Sequence, residues 1–156
     1  TTSRGICFVG IGQRRGELEN VLHAEFPFAD EIKRDDAALR TGVATLLDQL
    51  RGKAPHRDLP LDIRATAFQR RVWQELRRIP AGETRSYAEI AQSMGQPNAQ
   101  RAVGRACATN PVAVVVPCHR AVRADGGLGG YRWGVARKEA LLAAEIAKNG
   151  RRRARA

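Results

Sequence analysis

The segment Pro117-Cys118-His119-Arg120 places a thiol between a ring-locked proline and an imidazole, a grouping suited to nucleophilic chemistry. Thiolate is the attacking form of cysteine, and an ordinary thiol is mostly protonated near neutral pH, so a base must take its proton. His119 is the adjacent base. Side chains of consecutive residues seldom face each other. The Cys118–His119 relay is therefore expected to run through a water or a sharply turned backbone, with an acid from the final helix orienting the imidazole. The alternative for Cys118 is a small buried hydrophobe, the common state of a free cysteine, and Cys7 and Cys107 are assigned to that state. Three cysteines, an odd number, argue against a disulfide framework and for a reducing, cytoplasmic setting. No ligand-spaced His or Cys pair occurs, and the one conceivable set, Cys7 with His23 and His56, is disfavoured, so no metal is expected.

Several elements must position that thiol. Val112–Val116 reads as a short apolar strand that fixes the backbone just before Pro117. Upstream, Thr66 is a candidate N-cap, followed by an apolar stripe of Phe68, Val72, Trp73, Leu76 and Ile79 that stops at Pro80. A turn at 81–84 leads to Ser86-Tyr87-Ala88-Glu89, a capping box opening a helix to about Met94. The connection Gly95-Gln96-Pro97-Asn98 then precedes a second helix, about Ala99 to Ala108, giving a helix-turn-helix pattern. That second helix is built of small residues with Arg101 and Arg105. It suits close backbone approach and offers few side chains able to read base edges, so binding with little sequence preference is expected.

The first part of the chain reads as a buried strand at Ile6–Ile11 and helices at 17–26 and 36–51. The second helix carries Leu39, Val43, Leu46, Leu47 and Leu50 on one face. Residues 52–60 read as a linker, with a possible short strand at Leu59–Ile63 after it. The resulting expectation is an α/β chain. It has a small sheet-plus-helix amino-terminal domain over 1–58, a mainly helical domain over 59–150, and a basic disordered tail over 151–156.

Charge is distributed unequally. Residues 1–60 carry nine Lys and Arg against nine Asp and Glu, whereas 61–156 carry eighteen against seven, the whole net charge of +11. An excess confined to the half that carries the motifs points to a polyanionic partner, with a solubilising surface as the plain alternative. Apolar runs are only a few residues long, well short of a membrane span.

The motifs also resemble a known family. Pro117-Cys118-His119-Arg120 is similar to the active-site signature of the O6-alkylguanine-DNA alkyltransferases. Phe68-Gln69-x-x-Val72-Trp73, Ile79-Pro80-x-Gly82, Ser86-Tyr87, Arg101-Ala102-Val103-Gly104, Asn110-Pro111 and Lys138-x-x-Leu141-Leu142-x-x-Glu145 follow in family order. The resemblance is dense over about 59–146, and Tyr131-Arg132-Trp133-Gly134-Val135 is similar to the Ada-type branch. Departures are Ala121, where Val is usual, and Ala65, where Gly commonly precedes Thr66. The family would also supply further strands before Ile6, so a fragment or a shortened amino-terminal domain is expected.

The resemblance implies a ribonuclease-H-like first domain and a winged-helix-like second one. It implies direct-reversal DNA repair, in which an alkyl group moves from O6 of guanine, and from O4 of thymine, to Cys118 in one irreversible step without a cofactor. It casts His119 as the proton relay, Glu145 as its holder and Asn110 as the bridge that preorganises the reactive segment. Tyr87 would donate to the guanine and crowd the phosphate, and Arg101 would replace the flipped base. The helix bearing Arg101, Ala102, Gly104 and Arg105 would lie in the minor groove. Carbonyls of Cys118 and Ala121, with Tyr131 and Arg132, would form the substrate pocket, under a glycine-rich lid at 125–130. The partner is duplex DNA, no membrane is involved, and a monomer is expected. Two other classes compete: a non-catalytic damage-binding or regulatory module, and a Cys-His hydrolase.

Overall fold

The computed structural model describes residues 1–51 and 59–153. Helix α1 (Arg15–Glu25) and helix α2 (Asp36–Arg51) form the first region. The second comprises α3 (Ala67–Arg77), strand β1 (Arg85–Ser86), α4 (Tyr87–Ser93), α5 (Gln100–Ala108), a 3-10 turn (Cys118–Arg120), strand β2 (Ala121–Val122) and α6 (Val135–Arg153). The fold is α/β, with six α-helices and one two-stranded sheet among the described residues.

Helix α3 is the hub. The Thr66 hydroxyl accepts from the Gln69 backbone N–H while the Gln69 side chain reaches back to the Thr66 N–H, so two otherwise orphaned donors are satisfied. Its stripe of Val72, Trp73, Leu76 and then Ile79 is buried against α4 and α5, with Phe68 half-buried at the edge. Polar side chains of α3 then fix both partner helices. Trp73 Nε1 donates to the Ala106 carbonyl at 2.9 Å, Arg71 to the Met94 carbonyl at 2.5 Å, and Gln69 to Thr109 Oγ1 at 3.0 Å. Ser86 and Glu89 form the expected capping box on α4, and Gly95, at φ +70°, makes the turn into α5. The helix-turn-helix is thus clamped at both C-terminal ends by one preceding helix.

Three expected strands are not strands. Ile6–Ile11 and Leu59–Ile63 meet only through a single parallel bridge, Ile6 to Leu61, and Val9 makes another to Val112. The amino-terminal sheet is therefore absent from the described residues, and the one ladder pairs Arg85–Ser86 in parallel with Ala121–Val122, beside the reactive segment. Val112–Val116 closes into a turn instead of extending, with Ala113 bridged to Val116 and Val114 at φ +72°. A β-branched residue in the left-handed region is strained, so periodicity alone had no means of foreseeing it. On α2 the expected apolar face is only partly covered, leaving Val43 and Leu47 exposed. Helix α6 runs to Arg153, into the segment read as a disordered tail. The linker segment 52–58, with His56, lies outside the described residues.

Candidate active site

Asn110 organises the reactive segment. Only 1% exposed, it accepts from the Val112 N–H at 3.0 Å and donates to the Val116 carbonyl at 2.9 Å, so one amide closes the strained turn at Val114. The same Nδ2 lies 3.2 Å from Cys118 Sγ. The turn and the thiol are consequently held by one side chain, as the Asn110 bridge requires. The 3-10 turn that follows points Cys118 and His119 in different directions, and they make no direct bond.

Behind the thiol, His119 Nε2 sits 3.0 Å from Glu145 Oε1 on α6. The other ring nitrogen, Nδ1, is buried without a protein partner. Glu145 also receives the Arg120 guanidinium at 2.8 and 3.1 Å and the Gly82 N–H at 2.8 Å. Arg120 in turn donates to the Ile79 carbonyl at 2.6 Å. Burial alone would raise the Glu145 carboxyl, but the donors on His119, Arg120 and Gly82 outweigh it and hold the group at about 2. Glu145 is therefore an anion throughout the neutral range, fixed by three residues on two separate stretches of chain, the 118–120 turn and Gly82. The lysines of the same helix bond elsewhere: Lys138 to two backbone carbonyls, Lys148 to Leu50 O.

Cys118 is buried and lies in the wall of a cleft of 620 Å³. Tyr87, Arg101, Gly104, Arg105, Cys107, Tyr131 and Arg132 line it with the Gly129-Gly130 backbone. Burial pushes the Cys118 thiol above its ordinary range; Asn110, Lys138 and Arg132 oppose that. The resting group is hence a thiol that needs a base. Tyr87, half-buried, is pushed up to about 12, chiefly by burial and then by the Cys107 and Cys118 thiols, so its hydroxyl stays a donor. At Gly129, φ is +65°, and a Cβ there would stand 3.0 Å from the Tyr87 hydroxyl, so the glycine-rich loop comes close to Tyr87 because it lacks a side chain.

Of the residues expected to form the site, Cys118 with Asn110 and His119 with Glu145 make two buried pairs on adjoining residues, and Tyr87, Tyr131 and Arg132 line the cleft with Cys118. On α5, Arg101, Gly104 and Arg105 line the cleft as well, while Ala102 is exposed away from it. Ala121 is fully buried and is not a lining residue; its carbonyl accepts from Lys138 Nζ, and its own N–H donates to the Cys118 carbonyl. The sequence reading gave no role to Arg120, Gly82 or Lys138. Each belongs to one of the family-like motifs, but nothing in the sequence marks Arg120 or Lys138 as buried, since patterning places charged residues in water by default. Cys107 is buried as expected but shares the cleft, and Cys7 is only half-buried.

Fold and site together define a class: a helix-turn-helix domain that holds a buried thiol, next in chain to a His–Glu pair, in the wall of an arginine-rimmed cleft. Residues 67–147 match the family model described as "6-O-methylguanine DNA methyltransferase, DNA binding domain". The chain belongs to the 6-O-methylguanine DNA methyltransferase family. It is 47% identical to the "Bifunctional transcriptional activator/DNA repair enzyme Ada" of Escherichia coli over 92% of its own length, and spans 40% of that relative. Among solved structures, it resembles a Mycobacterium tuberculosis OGT in complex with DNA, at 49% identity and TM-score 0.65, over 69% of this chain and 68% of that one. The O6-methylguanine-DNA methyltransferase of Pyrococcus kodakaraensis is similar at 26% identity and TM-score 0.77, over 92% of this chain and 88% of that one.

Proposed function

We propose that this chain repairs alkylated duplex DNA by moving an alkyl group from O6 of guanine, and by the same chemistry from O4 of thymine, onto Cys118. The observation that carries the reading is the cleft itself: a thiol held by Asn110 and backed by His119–Glu145, opening between α5 arginines and Tyr87. A base inside a duplex is out of reach of a buried thiol, so the damaged nucleotide is flipped, at a cost of a few kcal/mol that its poor pairing reduces. Arg101, exposed at the cleft mouth, fills the vacated stack, and the small surface of α5 lies in the minor groove.

The thiol proton passes to His119 Nδ1 through a bridging water, and Glu145 stabilises the imidazolium that forms. The S–C bond forms as the C–O6 bond breaks. Tyr87 donates to the leaving guanine, and a proton from the relay restores the balance, so the products are a thioether and an unmodified base. A thioether has no facile route back, so each chain acts once, without a cofactor. The base is read by the second lone pair of the Cys118 carbonyl, which already accepts one internal bond from the Ala121 N–H. Residues 59–150 carry the chemistry and 1–58 form the amino-terminal domain; α4 and α5 belong to a winged-helix-like arrangement. The protein acts as a cytoplasmic monomer.

Titration with duplex carrying a radiolabelled O6-methyl group tests this. Transfer that stops at one equivalent per chain supports it. Continued turnover would favour a hydrolase, and retention of DNA without transfer would favour a damage-binding module.

A further inference from the structure

Lys138 is fully buried, a rare state for lysine, because an unpaired ammonium taken out of water is costly. It lies on α6, one turn in from the helix start. Its Nζ donates to the carbonyls of Ala121, next to the reactive turn, and of Leu128, in the glycine-rich loop. The same ammonium stands 5.8 Å from the centre of the Tyr87 ring. Three parts of the cleft therefore meet on one cation: the backbone beside the thiol, the loop over the cleft, and the tyrosine opposite. Two carbonyls accept two of its three protons and leave its charge without a counter-ion. A neutral donor would have served if strapping were the whole purpose.

We infer that Lys138 is a positioning residue for the transfer: it fastens the 123–130 loop to the acceptor segment and supplies the positive charge that favours Cys118 as thiolate. The inference rests on Cys118 being the acceptor, and deepens that reading. The charged and titratable groups around the pair are Tyr87 on α4, Arg101, Arg105 and Cys107 on α5, Arg123, Tyr131 and Arg132 between β2 and α6, and Lys138 itself. Of the cations, Lys138 and Arg132 are the ones that act on the Cys118 thiol, and Arg132 is already ion-paired with Glu25 at 2.5 Å. Burial draws the Lys138 ammonium down, and the two thiols, when ionised, push it back, so the lysine and Cys118 favour each other's charged forms.

The test uses iodoacetamide and no DNA, following carboxamidomethylation of Cys118 alone by peptide mass across neutral to alkaline pH. Lys138→Met is expected to move the pH profile upward by about one unit, a tenfold slower reaction at neutral pH, and to speed hydrogen exchange in the 123–130 loop. Lys138→Arg is expected to restore the position of the profile. A folded Lys138→Met variant with an unshifted profile would overturn the charge role. If that variant does not fold, NMR titration of Lys138 Nζ in the wild-type chain decides, before and after Cys118 is capped. Capping is expected to lower the lysine titration, and no movement would overturn the inference. Transfer from O6-methylguanine DNA is assayed separately. Its failure in the wild type would refute the acceptor reading itself, whatever the thiol profile shows.

Discussion

Glu145→Gln is the most informative single substitution, because it changes one charge and almost no volume. The pair it disrupts is buried, with side-chain exposures of 10% for Arg120 and 8% for Glu145. Removing one partner of a buried pair leaves the other uncompensated, at about 3–5 kcal/mol. For a chain of this size that corresponds to roughly 10 °C or more in Tm. Glutamine also has only one oxygen, so Arg120, His119 and Gly82 cannot all keep their acceptor. Linkage adds a second signature. The Glu145 carboxyl is depressed to about 2, so its contribution is complete above the ordinary carboxylate range and is lost as pH falls through about 2. The stability gap between wild type and variant, measured by urea denaturation, should therefore be widest near neutral pH and close in acid. The double variant Arg120→Met, Glu145→Gln should be less destabilised than the sum of the singles, because no orphaned guanidinium remains. A neutral-pH loss under about 1 kcal/mol, or a gap unchanged in acid, would refute the claim that this carboxylate is the buried anchor.

Further outcomes follow from the same geometry. Asn110→Ala removes bonds to Val112, Val116 and the Cys118 thiol, and should cost about 2–4 kcal/mol in denaturation while slowing transfer at least about tenfold. Gly82→Ala places a Cβ 2.5 Å from Asn149 Nδ2 at φ +79°, and a loss of about 1–3 kcal/mol is expected in the same assay. Arg105→Ala should weaken duplex binding uniformly across sequences and lower the slope of log affinity against log salt by about one. Tyr87→Phe should slow transfer with little change in DNA affinity. Because Tyr87 is held protonated up to about 12, wild-type transfer should show no fall from tyrosine ionisation as pH passes the ordinary phenol range.

Where local chemistry decides structure, the sequence was readable. Thr66 and Ser86 cap their helices as their spacing to Gln69 and Glu89 required, and the α3 stripe from Val72 to Ile79 is core. The grouping of Cys118 with Asn110 and of His119 with Glu145 followed from motif resemblance; the distances between them did not. What escaped was set by tertiary contact. Val112–Val116 looks like a strand by composition, yet Asn110 bends it into a turn that no propensity favours. Ile6–Ile11 has the residues of a strand but finds only single bridging partners. Lys138 and Arg120 were invisible as buried charges because a helical pattern places polar residues in water by default, and only the fold shows the acceptors that let them in.

The central claim is tested most directly by intact-protein mass after mixing the chain with excess duplex carrying one O6-methylguanine, followed by peptide mapping. One added methyl is expected, on Cys118 and on neither Cys7 nor Cys107, and none in Cys118→Ala. An unchanged mass in wild-type protein that still binds the duplex, or a methyl on another residue, would contradict the account.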